Sequence, residues 1–158
     1  MFLRKTVHIW EAPPGGSAEK RPIGNRKSQA MKILMVEDET PAARRLQKML
    51  ERIMEDLGDW GKVPAEITWC SEPEAALAEA EHRPDLILLD LNLGCFNALS
   101  WIQGRNLPPS QTMIISAETR YCEEAFAQGI FAYLSKPIDE SLLKRHLERF
   151  VKTNNLIA

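Results

Sequence analysis

The sequence predicts an α/β protein built on a doubly wound, five-stranded parallel sheet, and three observations point there. Apolar runs of strand length alternate with stretches of helical period from Lys32 onward. The strand runs are continuously apolar, as expected where helices cover both faces of a parallel sheet. The polar residues that interrupt this pattern fall at the carboxyl ends of the runs.

In chain order, Ile33-Leu34-Met35-Val36 is the first strand. Thr40 is positioned to cap the helix that follows, with Pro41 at its first helical position. Leu46, Met49, Leu50, Ile53, Met54 and Leu57 form that helix's apolar stripe, which ends at Gly58. Ile67 to Cys70 gives a second strand and Glu74 to Glu81 a second helix. After the turn-prone Arg83-Pro84, Leu86-Ile87-Leu88-Leu89-Asp90 is the third strand, and a third helix covers Ala98 to Gln103, closing at Gly104. Leu107-Pro108-Pro109 connects to a fourth strand, Thr112 to Ser116. A fourth helix over Thr119 to Gln128, with Gly129 as C-cap, leads to a fifth strand over Ile130 to Leu134. Asp139 caps a last helix that carries Leu143, Leu147, Phe150 and Val151 on one face.

Residues 1–30 break this pattern. Pro13-Pro14-Gly15-Gly16 and the polar run from Glu19 to Gln29 offer turns and charge with little to bury, so a flexible leader is expected there. A tag, a native extension and an over-called start ahead of Met31 fit that composition equally. The functional domain is expected over residues 31–152, with a short tail over 153–158 and no output domain within the 158 residues.

Composition narrows the function classes. Twenty basic against 22 acidic residues, for a formal charge of -2, give no basic field for nucleic acid. Cys70, Cys95 and Cys122 have neither disulfide-framework nor zinc-site spacing and suit a reducing compartment. No apolar run approaches the roughly 20 residues that span a bilayer, and the start lacks a signal-peptide core. The expectation is a soluble, cytoplasmic protein that contacts neither membrane nor nucleic acid.

In an open parallel sheet, ligands bind beyond the carboxyl ends of the strands. Glu37 and Asp38 follow strand one, Asp90 ends strand three, Ser116 ends strand four and Lys136 lies just after strand five. An Asp after a strand is, by itself, as readily a turn or cap residue. Five chemically active residues with one topological address are a different matter. Three crowded carboxylates repel one another, and a divalent cation relieves them. Oxygen donors, few of them from protein, describe Mg²⁺ rather than zinc or a calcium cage. A carboxylate in such a site can attack a phosphoryl group to form an aspartyl phosphate. Lys136 would then offer positive charge, and Ser116 a hydroxyl donor, to the phosphoryl oxygens.

These residues resemble the response-regulator receiver (CheY-like) family of two-component systems, over Met31 to about Val151. Met35-Val-Glu-Asp-Glu39 resembles its acidic segment, with Glu37 and Asp38 at the metal-site pair. Leu88-Leu-Asp90-Leu-Asn92 resembles the phosphoacceptor segment and implies that the backbone carbonyl of Asn92 joins the Mg²⁺ shell. Ile114-Ile-Ser116-Ala117 and Tyr133-Leu-Ser-Lys136-Pro137 resemble the hydroxyl and lysine motifs. The resemblance implies strand order 2-1-3-4-5, a cis Lys136–Pro137 bond, and Ser116 with Tyr133 as switch residues. It further implies that the chain is a signalling domain rather than an enzyme, phosphorylated on Asp90 by a sensor histidine kinase or a histidine phosphotransfer protein. Output would pass to a downstream protein partner or a homodimer through the fourth helix, fifth strand and fifth helix.

Some features depart from the family pattern. Glu37 stands where Asp is usual, and Leu93-Gly94-Cys95-Phe96-Asn97 replaces a loop that usually carries a Pro-Gly pair. Thr40-Pro-Ala-Ala-Arg-Arg-Leu46 is similar to receivers attached to LytTR-type DNA-binding domains, although Arg44 and Arg45 read as a solvated helix face. A phosphatase of the haloacid dehalogenase type would need a second acid where Asn92 stands. A receiver-like module that binds without phosphate remains the alternative, and a nucleotide-binding Rossmann domain fails for want of a Gly-rich loop after strand one.

Overall fold

The computed structural model describes residues 30–104 and 106–154. Five parallel strands, β1 (Met31–Val36), β2 (Ala65–Cys70), β3 (Leu86–Asp90), β4 (Thr112–Ser116) and β5 (Ala132–Ser135), form one sheet in the order β2-β1-β3-β4-β5. Helices α1 (Thr40–Glu55), α2 (Pro73–Ala80), α3 (Leu99–Gln103), α4 (Cys122–Ala127) and α5 (Glu140–Thr153) make or follow the crossovers. The doubly wound α/β class and the strand order are as expected.

Why both faces are covered follows from the alternation of side chains along buried strands. Ile33, Met35, Leu86, Leu88, Met113 and Ile115 pack with α1 and α5. Leu34, Val36, Ile87, Leu89 and Ile114 face the other way, onto residues of α2, α3 and α4 such as Ala76, Ile102 and Ala125. Strand order reverses between β1 and β3, which is where a doubly wound sheet opens a crevice at its carboxyl edge.

Element ends differ from the sequence reading in physically explicable ways. Thr40 is the first residue of α1 rather than its cap. Glu39, in extended backbone, holds the cap position without a side-chain bond, and its carbonyl accepts the Ala43 N–H at 2.9 Å. The helix ends at Glu55, and Gly58, at φ 60°, opens a short 3₁₀ turn through Trp60 instead of closing α1. Helix α4 starts at Cys122 rather than Thr119, because the Glu118 carbonyl accepts the Tyr133 hydroxyl instead of a helical N–H. Strand β5 starts at Ala132, since the Ile130 N–H still bonds the Ala125 carbonyl in the turn after α4. Asp139 caps α5 as expected, its carboxylate accepting the Leu142 N–H at 3.1 Å.

The sequence reading did not anticipate a small antiparallel hairpin between β3 and α3, pairing Asn92 with Asn97 and Leu93 with Phe96. Its tip is Gly94-Cys95, with Gly94 at φ 64°, the left-handed backbone that glycine adopts without cost. The leader expected over residues 1–30, apart from Ala30, lies outside the described residues, as do residues 155–158 of the expected tail. Among the described residues no helix is long and apolar enough to cross a membrane, and all three cysteines are free thiols.

Candidate functional site

The carboxyl ends of β1, β3, β4 and β5 bring the expected residues together. Glu37 directly follows β1, where its N–H bonds the Cys70 carbonyl at 3.1 Å and its own carbonyl accepts the Trp69 indole N–H at 2.8 Å. Asp90 is the last residue of β3, paired in register with Ile115, so Ser116 ends the neighbouring strand one step further on. Ser116 is in turn paired with Ser135, and its carbonyl accepts the Lys136 N–H at 3.0 Å. Parallel register therefore sets four chain segments side by side at one edge. The Lys136–Pro137 peptide bond is cis, as the resemblance implied.

Lys136 spans the cluster. Its Nζ lies 2.8 Å from Glu37 Oε2 and 2.9 Å from Asp90 Oδ2. Glu37 and Asp90 are buried, at 3% and 6% exposure, so both charges rely on partners inside the protein. Burial pushes the Glu37 carboxyl above the usual carboxylate range, against the opposing pull of the Lys136 hydrogen bond and the Glu39 N–H. Burial acts on Lys136 in the opposite sense, lowering it, but the hydrogen bonds to Glu37 and Asp90 outweigh this and hold the ammonium above its ordinary value.

Backbone donors complete the setting. Asp90 Oδ1 accepts the Asn92 N–H at 3.0 Å, Glu37 Oε1 accepts the Glu39 N–H at 3.1 Å, and Asp38 Oδ2 accepts the Gly94 N–H at 2.8 Å. The Ser116 hydroxyl oxygen accepts the Glu118 N–H at 3.1 Å, so the hydroxyl keeps its capacity to act as a donor. Tyr133 is half-buried and donates its hydroxyl to the Glu118 carbonyl, so the two residues named as a switch pair converge on one residue. Burial, eased by the Ser116 hydroxyl, raises the Tyr133 phenol above its ordinary value.

Glu37, Asp38 and Asp90 each offer a carboxylate oxygen, all within 4.8 Å of one another. Three carboxylates against the single ammonium of Lys136 leave an excess of two negative charges, which a divalent cation cancels. The donors are hard oxygens with no histidine or thiolate among them, so the set fits Mg²⁺. Sequence reasoning missed one contributor, Gly94, since a backbone N–H leaves no side-chain signature. A sharp turn signal after Asp90 was its only trace.

Comparison with known proteins identifies the family. The pattern of the response regulator receiver domain matches residues 33–148, well over half the chain. Sensory transduction protein LytT of Bacillus subtilis is 27% identical over 132 residues, covering 81% of this chain and 51% of that protein. Transcriptional regulatory protein BtsR of Escherichia coli K12 is 31% identical over 122 residues, covering 75% and 47%. The chain thus spans about half the length of the curated relatives it matches. Among solved structures, a CheY-like receiver domain from Methylobacillus flagellatus superposes with TM-score 0.61 at 23% identity, covering 77% of this chain and 99% of that one. The response regulatory domain of mrkE from Klebsiella pneumoniae gives TM-score 0.63 at 23% identity, covering 79% and 98%. With the family pattern running from β1 into α5, the chain belongs to the response regulator receiver domain family of two-component systems.

Proposed function

We propose that the chain accepts a phosphoryl group on Asp90 from a phosphohistidine, borne by a sensor kinase or a phosphotransfer protein, and responds by altering its surface for a partner. The observation that carries this reading is the arrangement of Asp90, buried at a strand end with one oxygen on the Asn92 N–H and the other on the Lys136 ammonium. A carboxylate so held is oriented before a donor arrives, which is how a positioned nucleophile gains most of its rate.

In the transfer, an Asp90 oxygen attacks phosphorus, a P–O bond forms, and the P–N bond to the donor imidazole breaks, its electron pair returning to nitrogen. Lys136, paired with Asp90 beforehand, moves its charge from carboxylate to phosphoryl oxygen with little displacement. Ser116 donates its hydroxyl proton to the same group. Glu37, Asp38, Asp90 and the Asn92 carbonyl are the groups that would hold Mg²⁺, and the ion supplies positive charge for the anionic donor and product. The only group it modifies is its own Asp90, so it is a signalling element rather than an enzyme.

Incubation with acetyl phosphate and Mg²⁺, followed by intact-protein mass measurement, tests the reading. One phosphoryl group should be gained with Mg²⁺ and none after chelation, and Asp90→Asn should gain none. Modification of Asp90→Asn to the same extent as the parent would reject Asp90 as the acceptor.

A further inference from the structure

We infer that the backbone N–H of Gly94 is a positioning group for Asp38, and that the hairpin between β3 and α3 presets the acidic cluster for its cation. The inference rests on the metal-dependent phosphoacceptor reading above. Asp38 is the exposed member of the three carboxylates, while Glu37 and Asp90 are buried. An exposed aspartate turns freely among rotamers unless something holds it, and what holds this one is the Gly94 N–H at 2.8 Å on Oδ2. With that oxygen engaged, the carboxylate is fixed in the direction of its two neighbours.

The donor sits at the tip of the short hairpin. In an extended strand, N–H groups two residues apart face the same side. Accordingly the Asn92 N–H, in the strand, reaches Asp90 Oδ1 while the Gly94 N–H, at the first residue of the turn that follows, reaches Asp38 Oδ2, so one hairpin arm and its tip grip carboxylates from both β3 and the end of β1. The hairpin is anchored below its tip by buried Leu93 and by the Phe96 ring, 5.0 Å from that of buried Trp101. Glycine serves at the tip because of its backbone, not its size. A Cβ added there would meet nothing within 4 Å, but φ 64° is a conformation that most residues resist. A proline, of the kind this loop usually carries in the family, would have no N–H to give.

Outer partners of metal-ligating carboxylates commonly change metal affinity by about tenfold or more when lost. Gly94→Pro removes the donor, whereas Gly94→Asn keeps the N–H and tolerates the left-handed backbone. Mg²⁺ titration at constant ionic strength, read by tryptophan emission and by calorimetry, should give about tenfold weaker binding for Gly94→Pro. Gly94→Asn should bind within about twofold of the parent. Trp69, bonded through its indole to the Glu37 carbonyl, places a reporter beside the cluster. Introduced into Asp38→Ala, Gly94→Pro should cause no further loss, because its effect passes through Asp38. Unchanged affinity in Gly94→Pro, or a loss of equal size in the Asp38→Ala background, would overturn the inference. Failure of the parent protein itself to bind Mg²⁺ would instead overturn the phosphoacceptor reading.

Discussion

Glu37 and Lys136 show how a buried charge can be tolerated without being inert. Each lies within hydrogen-bonding distance of the other, and Lys136 also holds Asp90, so breaking either pair strands a carboxylate in a poorly solvated place. A divalent cation held by the three carboxylates would share Glu37 and Asp90 with the ammonium. Asp38→Ala should therefore weaken Mg²⁺ binding by about tenfold or more, since a ligand is lost outright. Lys136→Ala should retain or tighten it, since a competing cation is removed while all three carboxylates stay. Lys136→Ala should nevertheless fail to convert phosphorylation into a change at the partner surface, because Ser116 alone then meets the phosphoryl oxygens, without the ammonium that draws them in. Tryptophan-monitored Mg²⁺ titration separates the two, and equal loss of affinity in both variants would contradict these roles.

At the scale of elements, what was legible in the sequence was whatever side-chain pattern dictates. The continuous apolar runs gave all five sheet strands, and the stripes in α1 and α5 gave their buried faces. Asp90, Ser116 and Lys136 were legible as strand-end polar residues because an apolar run makes its terminus conspicuous. Less legible were features set by tertiary hydrogen bonds. The late start of α4 depends on Tyr133 capturing the Glu118 carbonyl, and the Asp38–Gly94 contact joins residues 56 apart in sequence. In α5, Leu147 is fully buried against the sheet, so Leu147→Ala should cost about 2–5 kcal/mol in urea denaturation. The same helix carries a pH response. Burial, then Arg149 and Arg145, hold His146 below its ordinary value, and Nδ1 accepts from the Arg149 guanidinium at 3.2 Å. The folded state thus resists a proton that the unfolded chain takes up near pH 6.5. This contribution to stability is present above about pH 6.5 and fades as pH falls below it, so His146→Gln should flatten the decline in urea midpoint between about pH 6.5 and 5.

For the whole molecule, a receiver conveys its state only if chemistry at the carboxyl edge of the sheet alters a surface that another protein can read. The path available is short. Ser116 ends β4, the next residues carry Glu118, and the Glu118 carbonyl is bonded by the hydroxyl of Tyr133 on adjacent β5. Under the proposed function, a shift of Ser116 toward a phosphoryl group would move the peptide that holds Tyr133 and so change how deeply that ring sits. The surface we propose for the readout is formed by α4, β5 and α5, where Phe126 stands half exposed on the same helix as exposed Glu123 and Glu124, and α5 carries exposed Arg149. An apolar anchor ringed by charge is a common composition for a partner surface. Because a ligand shifts two states only through its differential affinity, phosphorylation and partner binding must strengthen each other equally. Tyr133→Ala should accordingly accept phosphate on Asp90 as the parent does, yet lose any gain in association that phosphorylation brings. Sedimentation with and without beryllium fluoride, as a stable phosphoryl mimic, measures self-association directly. A mass increase in the parent that Tyr133→Ala lacks would support a homodimer read through this face. A mass unchanged in both would exclude the homodimer and leave a different protein as the reader, whereas an equal increase in both would show that Tyr133 does not transmit the signal.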